Sequence, residues 1–289
     1  MISRLDLDGV GSPLGIAARI HNLIPDLPIA VPVEALCGQF DIHSVSELET
    51  EGFEAALIMD ANKAAGGILV AAGRPRKRRR YSIAHELGHF LIPTHMPDAG
   101  HGFECSLDDL HVLDIKEQDR RRRKEAEANR FAAALLMPVP RIRSACASRR
   151  PRLAEVTRLA NEFDVSKEAM ARAYVEAHRE AVAVLLLRHG RITRVYRNER
   201  HFPWIVPGVG EVVPPGSIAS CSVLQPGQFS QVEECDTDTW LGDRDRRRVE
   251  VLTEQLLAQR DGFAMLLLHA EIVDEEDDGN EVDVFRTRR

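Results

Sequence analysis

Several common signposts are missing from this chain. There is no CxxC pair: the five cysteines, Cys37, Cys105, Cys146, Cys221 and Cys235, are odd in number and widely scattered. That excludes a disulfide framework or a zinc ribbon and points to free thiols in a reducing compartment. No apolar run approaches the roughly 18 residues of a membrane span, and Met1-Ile2-Ser3-Arg4-Leu5-Asp6 lacks the basic-then-apolar layout of a secretory signal. There are no repeats and no low-complexity tract. Aromatic residues are sparse, at 5%, and the net charge of −7 does not advertise nucleic-acid binding. These absences together lead us to expect a soluble, cytoplasmic protein with no membrane partner.

What is present is ordinary globular material, 44% hydrophobic and 29% charged over 289 residues, enough for two or three domains. Charge is unevenly spread, with basic runs at 74–80, 120–124 and 141–152 and an acidic stretch at 274–278. A charge run is first a solvated face and only second a patch for a phosphate backbone or an acidic partner.

One pentapeptide stands out: His85-Glu86-Leu87-Gly88-His89. On a helix, residues four apart share a face, so two imidazoles can grip one Zn²⁺ while Glu86 sits beside a water as general base. The flanking Ser82-Ile83-Ala84 and Phe90-Leu91-Ile92 are largely apolar, and Pro93 follows where a helix can stop. The segment therefore reads as a buried helix.

Around it, Ser12-Pro13 opens a helix through Leu23, and a shorter helix is expected at 31–40. Two strands, 54–59 and 67–72, are joined by a turn at Asp60-Ala61-Asn62-Lys63. A long loop at 94–118 carries His95, His101, His111, Cys105 and Asp108-Asp109; loops of that length are often functional, and Cys105 is the thiol best placed to act as a switch or ligand. A helix at 123–137 stops at Pro138, and 141–151 reads as a polar, basic boundary. The segment 153–174 has helix-turn-helix spacing, with Ser166 as cap of its second helix. That helix offers only Lys167 and Arg172 for base contacts, against Glu168 and Glu176, so packing or substrate docking is the preferred role. Beyond 181 we expect a β-hairpin at 183–196, a helix at 249–259, a turn at Asp261-Gly262 and a strand at 263–273.

A catalytic zinc takes three protein ligands and keeps one open position. Lys124-Glu125-Ala126-Glu127-Ala128-Asn129 supplies the candidates. Glu125 and Asn129 are four apart, so one can bind metal while the other holds a ligand by hydrogen bonding. Glu127 competes with Glu125, but it points about 200° around the helix and lacks a polar partner at i+4. Glu125 is the preferred third ligand.

The blocks Arg80-Tyr81-Ser82-Ile83-Ala84-His85-Glu86-Leu87-Gly88-His89-Phe90 and Glu125 to Pro138 resemble the two signature blocks of the ImmA/IrrE family of metallo-endopeptidases. The likeness covers roughly residues 15–140, extends over 153–177 and weakens after that. It implies a gluzincin-like, zinc-dependent intracellular protease that cleaves a helix-turn-helix transcriptional repressor and so derepresses stress or mobile-element genes.

The expected fold class is α+β. It comprises a zincin-like metallopeptidase domain (1–142), a helix-turn-helix-like helical segment (143–180) and a small α+β domain (181–289), sensory or regulatory, with an acidic tail. The expected site has Zn²⁺ on His85, His89 and Glu125, with Glu86 catalytic. Tyr81, His95, His101 and His111 are candidates to stabilise the oxyanion. The expected partner is a protein substrate, with direct DNA binding the weaker reading. The rival is a non-proteolytic DNA-binding or toxin-antitoxin-type regulator whose metal site is structural or sensory.

Overall fold

The computed structural model describes residues 2–49, 52–60, 62–96, 103–105, 120–147 and 150–273. His101, His111, Asp108-Asp109, the Cys105 side chain and the acidic stretch at 274–278 lie outside the described residues. The chain forms two compact units, Met1–His178 and Arg179–Arg289, of mixed α+β character with a sheet in each.

In the first unit, helix α1 (Pro13–Leu23) starts where Ser12 Oγ accepts from Gly15 N at 3.1 Å, and α2 (Val33–Gln39) follows. Four strands come next in space: β1 (Ile42–Leu48), β2 (Ala55–Met59), β3 (Gly66–Ala71) and β4 (Phe103–Cys105), in the order β1-β3-β2-β4. The expected pair β2 and β3 is antiparallel, while β1 runs parallel to β3. Sequence reading missed β1 because it is an edge strand: of its seven residues only Ile42 is buried, so its polar sequence shows no core-facing alternation.

Helix α3 (Arg76–Leu91) packs on β2 and β3 and against α4 (Arg120–Leu136), which in turn packs on α1. The boundary region contains a helix, α5 (Val139–Cys146). Helices α6 (Leu153–Glu162) and α7 (Lys167–Ala177) have the anticipated turn: Asp164 takes a left-handed φ of 53°, and Ser166 Oγ accepts from Ala169 N at 3.1 Å. Because α7 packs on both α5 and α6, the helical pair is built into this unit.

The second unit holds β5 (Ala181–Arg188), β6 (Arg191–Arg197), β7 (Glu233–Glu234), β8 (Val249–Ala258) and β9 (Phe263–Ile272), ordered β6-β5-β9-β8-β7 and antiparallel throughout. His189 and Gly190 both adopt positive φ, 48° and 72°, as a tight turn matching the sheet twist requires. The expected helix at 249–259 is instead strand β8. Its apolar residues at 249, 252 and 256 fit a helical stripe, and Glu254 reads as a polar interruption of any strand alternation. That carboxylate is in fact buried, accepting from Trp240 Nε1, from Ile218 N at 2.7 Å and from Ser217 Oγ at 3.2 Å. Leu252 and Leu256 flank it in a core that includes Phe202, Ile218, Trp240 and Leu266.

Candidate metal centre

The two histidines of the pentapeptide sit one turn apart on α3, and α4 crosses close enough to bring Glu125 between them. His85 Nε2 and His89 Nε2 are 3.1 Å apart, and Glu125 Oε2 lies 3.1 Å from the first and 3.4 Å from the second. All three residues are buried, and they form the one His/Cys/Asp/Glu cluster among the described residues with metal-binding geometry. The donor set fits zinc. Ligand atoms about 2.0–2.1 Å from a tetrahedral ion are about 3.3–3.4 Å from one another, close to the three edges seen here. Two imidazole lone pairs and a carboxylate oxygen converging in a dry interior are favourable only around a cation or a proton.

The outer edges of both rings are also held. His85 Nδ1 donates to Asn129 Oδ1 at 2.9 Å, and the same oxygen accepts from the Tyr81 hydroxyl at 3.1 Å. Asn129 thus fills the second of the two roles that the i, i+4 pair offered, with Glu125 in the cluster. Tyr81 lies on the Nδ1 side of His85, facing away from the converging Nε2 atoms, which does not suit an oxyanion donor. His95 is likewise behind the cluster, its Nδ1 3.1 Å from His89 Nδ1 and its Nε2 2.9 Å from Glu127 Oε2. Glu127 does have polar partners, His95 and Arg123, although neither is at i+4.

Sequence reading missed Lys63 altogether. It closes the β2–β3 turn with a φ of 54°, and its buried Nζ donates to the carbonyls of His89, Ile92 and His95 at 2.9, 2.8 and 3.0 Å. The last carbonyls of a helix have no partner within it and carry the negative end of its dipole, so an ammonium there satisfies both. Burial, with Arg4 and Lys124 nearby, pushes this ammonium down to about 8. Its only sequence signal was a charged residue in a predicted turn.

Electrostatics separate the two histidines of the cluster. Burial alone would push His85 down, but the hydrogen bond to Glu125 and the charges of Glu86 and Glu125 outweigh it and raise its pKa. For His89 burial wins and, with His85 and His95 beside it, holds the ring at about 3. His95 is pushed down to about 4, chiefly by burial. Glu125 is driven the other way: although burial would raise it, its contacts with His85 and His89 outweigh that and keep it well below the usual carboxylate range. Glu86 is fully buried on α3 and close enough for its charge to be felt at His85.

The site is thus a buried cluster that could hold a metal ion, built on two adjacent helices of an α+β unit. Residues 45–174, from β1 into α7, match the family model of the IrrE N-terminal-like domain, Peptidase_M78. Over this portion the chain is similar to that family, which is of metallopeptidase type. Among solved structures, a Mycobacterium tuberculosis transcriptional regulator is similar with a TM-score of 0.50 and 14% identity, over 92% of this chain and 74% of that one. At that identity the likeness is one of fold. No curated protein matches the chain.

Proposed function

We propose that this protein is a zinc-dependent endopeptidase whose metal ligands are His85, His89 and Glu125 and whose general base is Glu86. The observation that carries the reading is the convergence of His85 Nε2, His89 Nε2 and Glu125 Oε2 with Glu86 next in sequence to the first ligand. Bound zinc would supply Lewis acidity toward the scissile carbonyl and lower the pKa of a water toward about 7. Glu86 takes a proton from the attacking water and hands it to the leaving amine. Asn129 fixes the tautomer and orientation of His85. The buried, water-poor setting strengthens each of these interactions.

In this reading residues 1–142 are a zincin-like peptidase domain, 143–180 a helix-turn-helix-like segment and 181–289 a small sensory or regulatory domain. The protein acts in the cytoplasm. Its substrate is a helix-turn-helix transcriptional repressor, whose cleavage derepresses stress or mobile-element genes; the family domain supports a protein substrate. Among the described residues no helix is long and apolar enough to cross a membrane.

A non-proteolytic DNA-binding regulator is the second reading, favoured by the fold likeness to a transcriptional regulator. Against it, α7 has most of its surface buried, including Met170, Ala171, Tyr174 and Val175, which leaves little to enter a major groove. The test is to incubate the zinc-loaded protein and its Glu86→Gln variant with a repressor encoded next to it. Cleavage by the wild type alone, with zinc content equal in both, is the expected result. Equal cleavage by the variant would remove Glu86 from its role, and operator protection without cleavage would favour the second reading.

A further inference from the structure

His89 has, on its outer edge, an arrangement that the metal reading does not by itself require. Its Nδ1 faces His95 Nδ1 at 3.1 Å, and His95 Nε2 faces Glu127 Oε2 at 2.9 Å. The direction of these bonds follows from the groups alone. An ionised carboxylate only accepts, so His95 Nε2–H donates to Glu127. A neutral His95 then has a bare Nδ1, which accepts from His89 Nδ1–H. His89 is left with its lone pair on Nε2, directed at His85 Nε2 and Glu125 Oε2.

We propose that His95 and Glu127 are positioning residues that form a carboxylate–imidazole relay, setting the tautomer and aim of His89 as a metal ligand. The relay rests on the reading of the cluster as a zinc site. It matches in purpose the Asn129 contact on His85, but through two side chains rather than one. His95 comes from the chain just beyond α3, and that chain is pinned twice: by Lys63 Nζ on the Ile92 and His95 carbonyls, and by Lys124 Nζ on the Met96 carbonyl at 2.9 Å. Arg123 Nε, 3.0 Å from Glu127 Oε1, holds the carboxylate from its other side. His95 is itself fully buried, so its ring is fixed by packing as well as by hydrogen bonds.

The test measures zinc affinity in the full-length chain by competition with a chromophoric chelator. The variants are His95→Ala, His95→Asn and Glu127→Gln. Losing an outer partner of a ligating histidine typically weakens metal binding about 10–100-fold. His95→Ala is expected to fall in that range. His95→Asn returns an acceptor oxygen near the Nδ1 position and should recover part of the loss, which a packing role alone would not produce. Should His95→Ala fail to fold, His95→Asn and Glu127→Gln still carry the measurement. As a second readout, the imidazole N–H protons of the zinc-loaded protein are followed by ¹⁵N-labelled NMR, where Glu127→Gln should shift His89 Nδ1–H as well as His95 Nε2–H. Wild-type affinity in all three variants, or a His89 proton indifferent to Glu127→Gln, would overturn the relay while leaving the zinc reading intact. A wild type that binds no zinc would overturn both.

Discussion

Gly88 lies directly against Phe131: a Cβ on Gly88 would stand 2.8 Å from the ring Cδ1 and 3.4 Å from the Cα of Ala128. The fourth residue of the pentapeptide is therefore a point of close approach between α3 and α4, on the pair of helices that brings Glu125 to the histidines. Gly88→Ala should gain up to about 1 kcal/mol of helix propensity but lose about 1–3 kcal/mol to overpacking. A net fall in melting temperature is expected, together with weaker zinc binding. Adding Phe131→Leu should restore part of both; a single variant as stable and as zinc-avid as wild type would show that the helices can separate freely.

Asn129 and Tyr81 define a graded series on His85. Asn129→Leu removes the acceptor from His85 Nδ1 and should weaken zinc about 10–100-fold. Tyr81→Phe leaves that acceptor in place and should cost much less. Chelator competition on the two variants checks the order, and an equal loss in both would mean that the hydroxyl holds His85 as firmly as the amide does.

Protons and zinc compete at His85. With its pKa raised, and with His89 held at about 3 and Glu125 kept ionised, His85 is the group of the metal-free cluster that holds a proton most readily. Binding should expel that proton wherever it is present, so apparent affinity climbs with pH up to the raised pKa and then levels off. Calorimetry at pH 7 in two buffers of different ionisation enthalpy measures the number released. Without metal, the contribution of His85 is complete below its unfolded pKa near 6.5 and is lost as pH rises through the raised value. That of His89 is complete above 6.5 and is lost as pH falls toward about 3. From these two groups the metal-free chain should be most stable near pH 6.5, which melting curves across pH 4–9 would reveal.

Asp164 ties the helical pair to α3 through Arg76 Nη2 at 2.8 Å and Arg80 Nε at 3.1 Å. Arg80 is buried and Arg76 is exposed, so Arg80→Gln should destabilise clearly and Arg76→Ala by no more than about 1 kcal/mol. Asp164→Asn should be milder than Asp164→Ala, because asparagine tolerates the left-handed φ of 53° while alanine does not. Denaturant unfolding of the four variants checks the ranking, and a costly Arg76→Ala would reverse the assignment of the dominant pair.

The His85, His89, Glu125 and Asn129 constellation was legible because a fixed helical period relates sequence distance to angle, so faces can be read before the helices are seen. The same rule misled at 249–259, where pairing with β9 and the buried Glu254 decide the conformation and no local pattern records either. Glu127 shows the limit from the other side. Its angle correctly separated it from Glu125, but its partner His95 depends on how the chain turns after Ile92, which periodicity does not describe. The edge strand β1 was hidden because a strand with one buried residue out of seven has nothing to alternate.

Lys63 extends the candidate metal centre beyond its signature blocks. Three backbone carbonyls around the end of α3 depend on one ammonium that stands 26 residues before His89 in sequence. A search for working copies of this centre that scores the two blocks alone would pass a chain in which that turn had lost its lysine. The defect would then surface at the second histidine, far from the substitution that caused it.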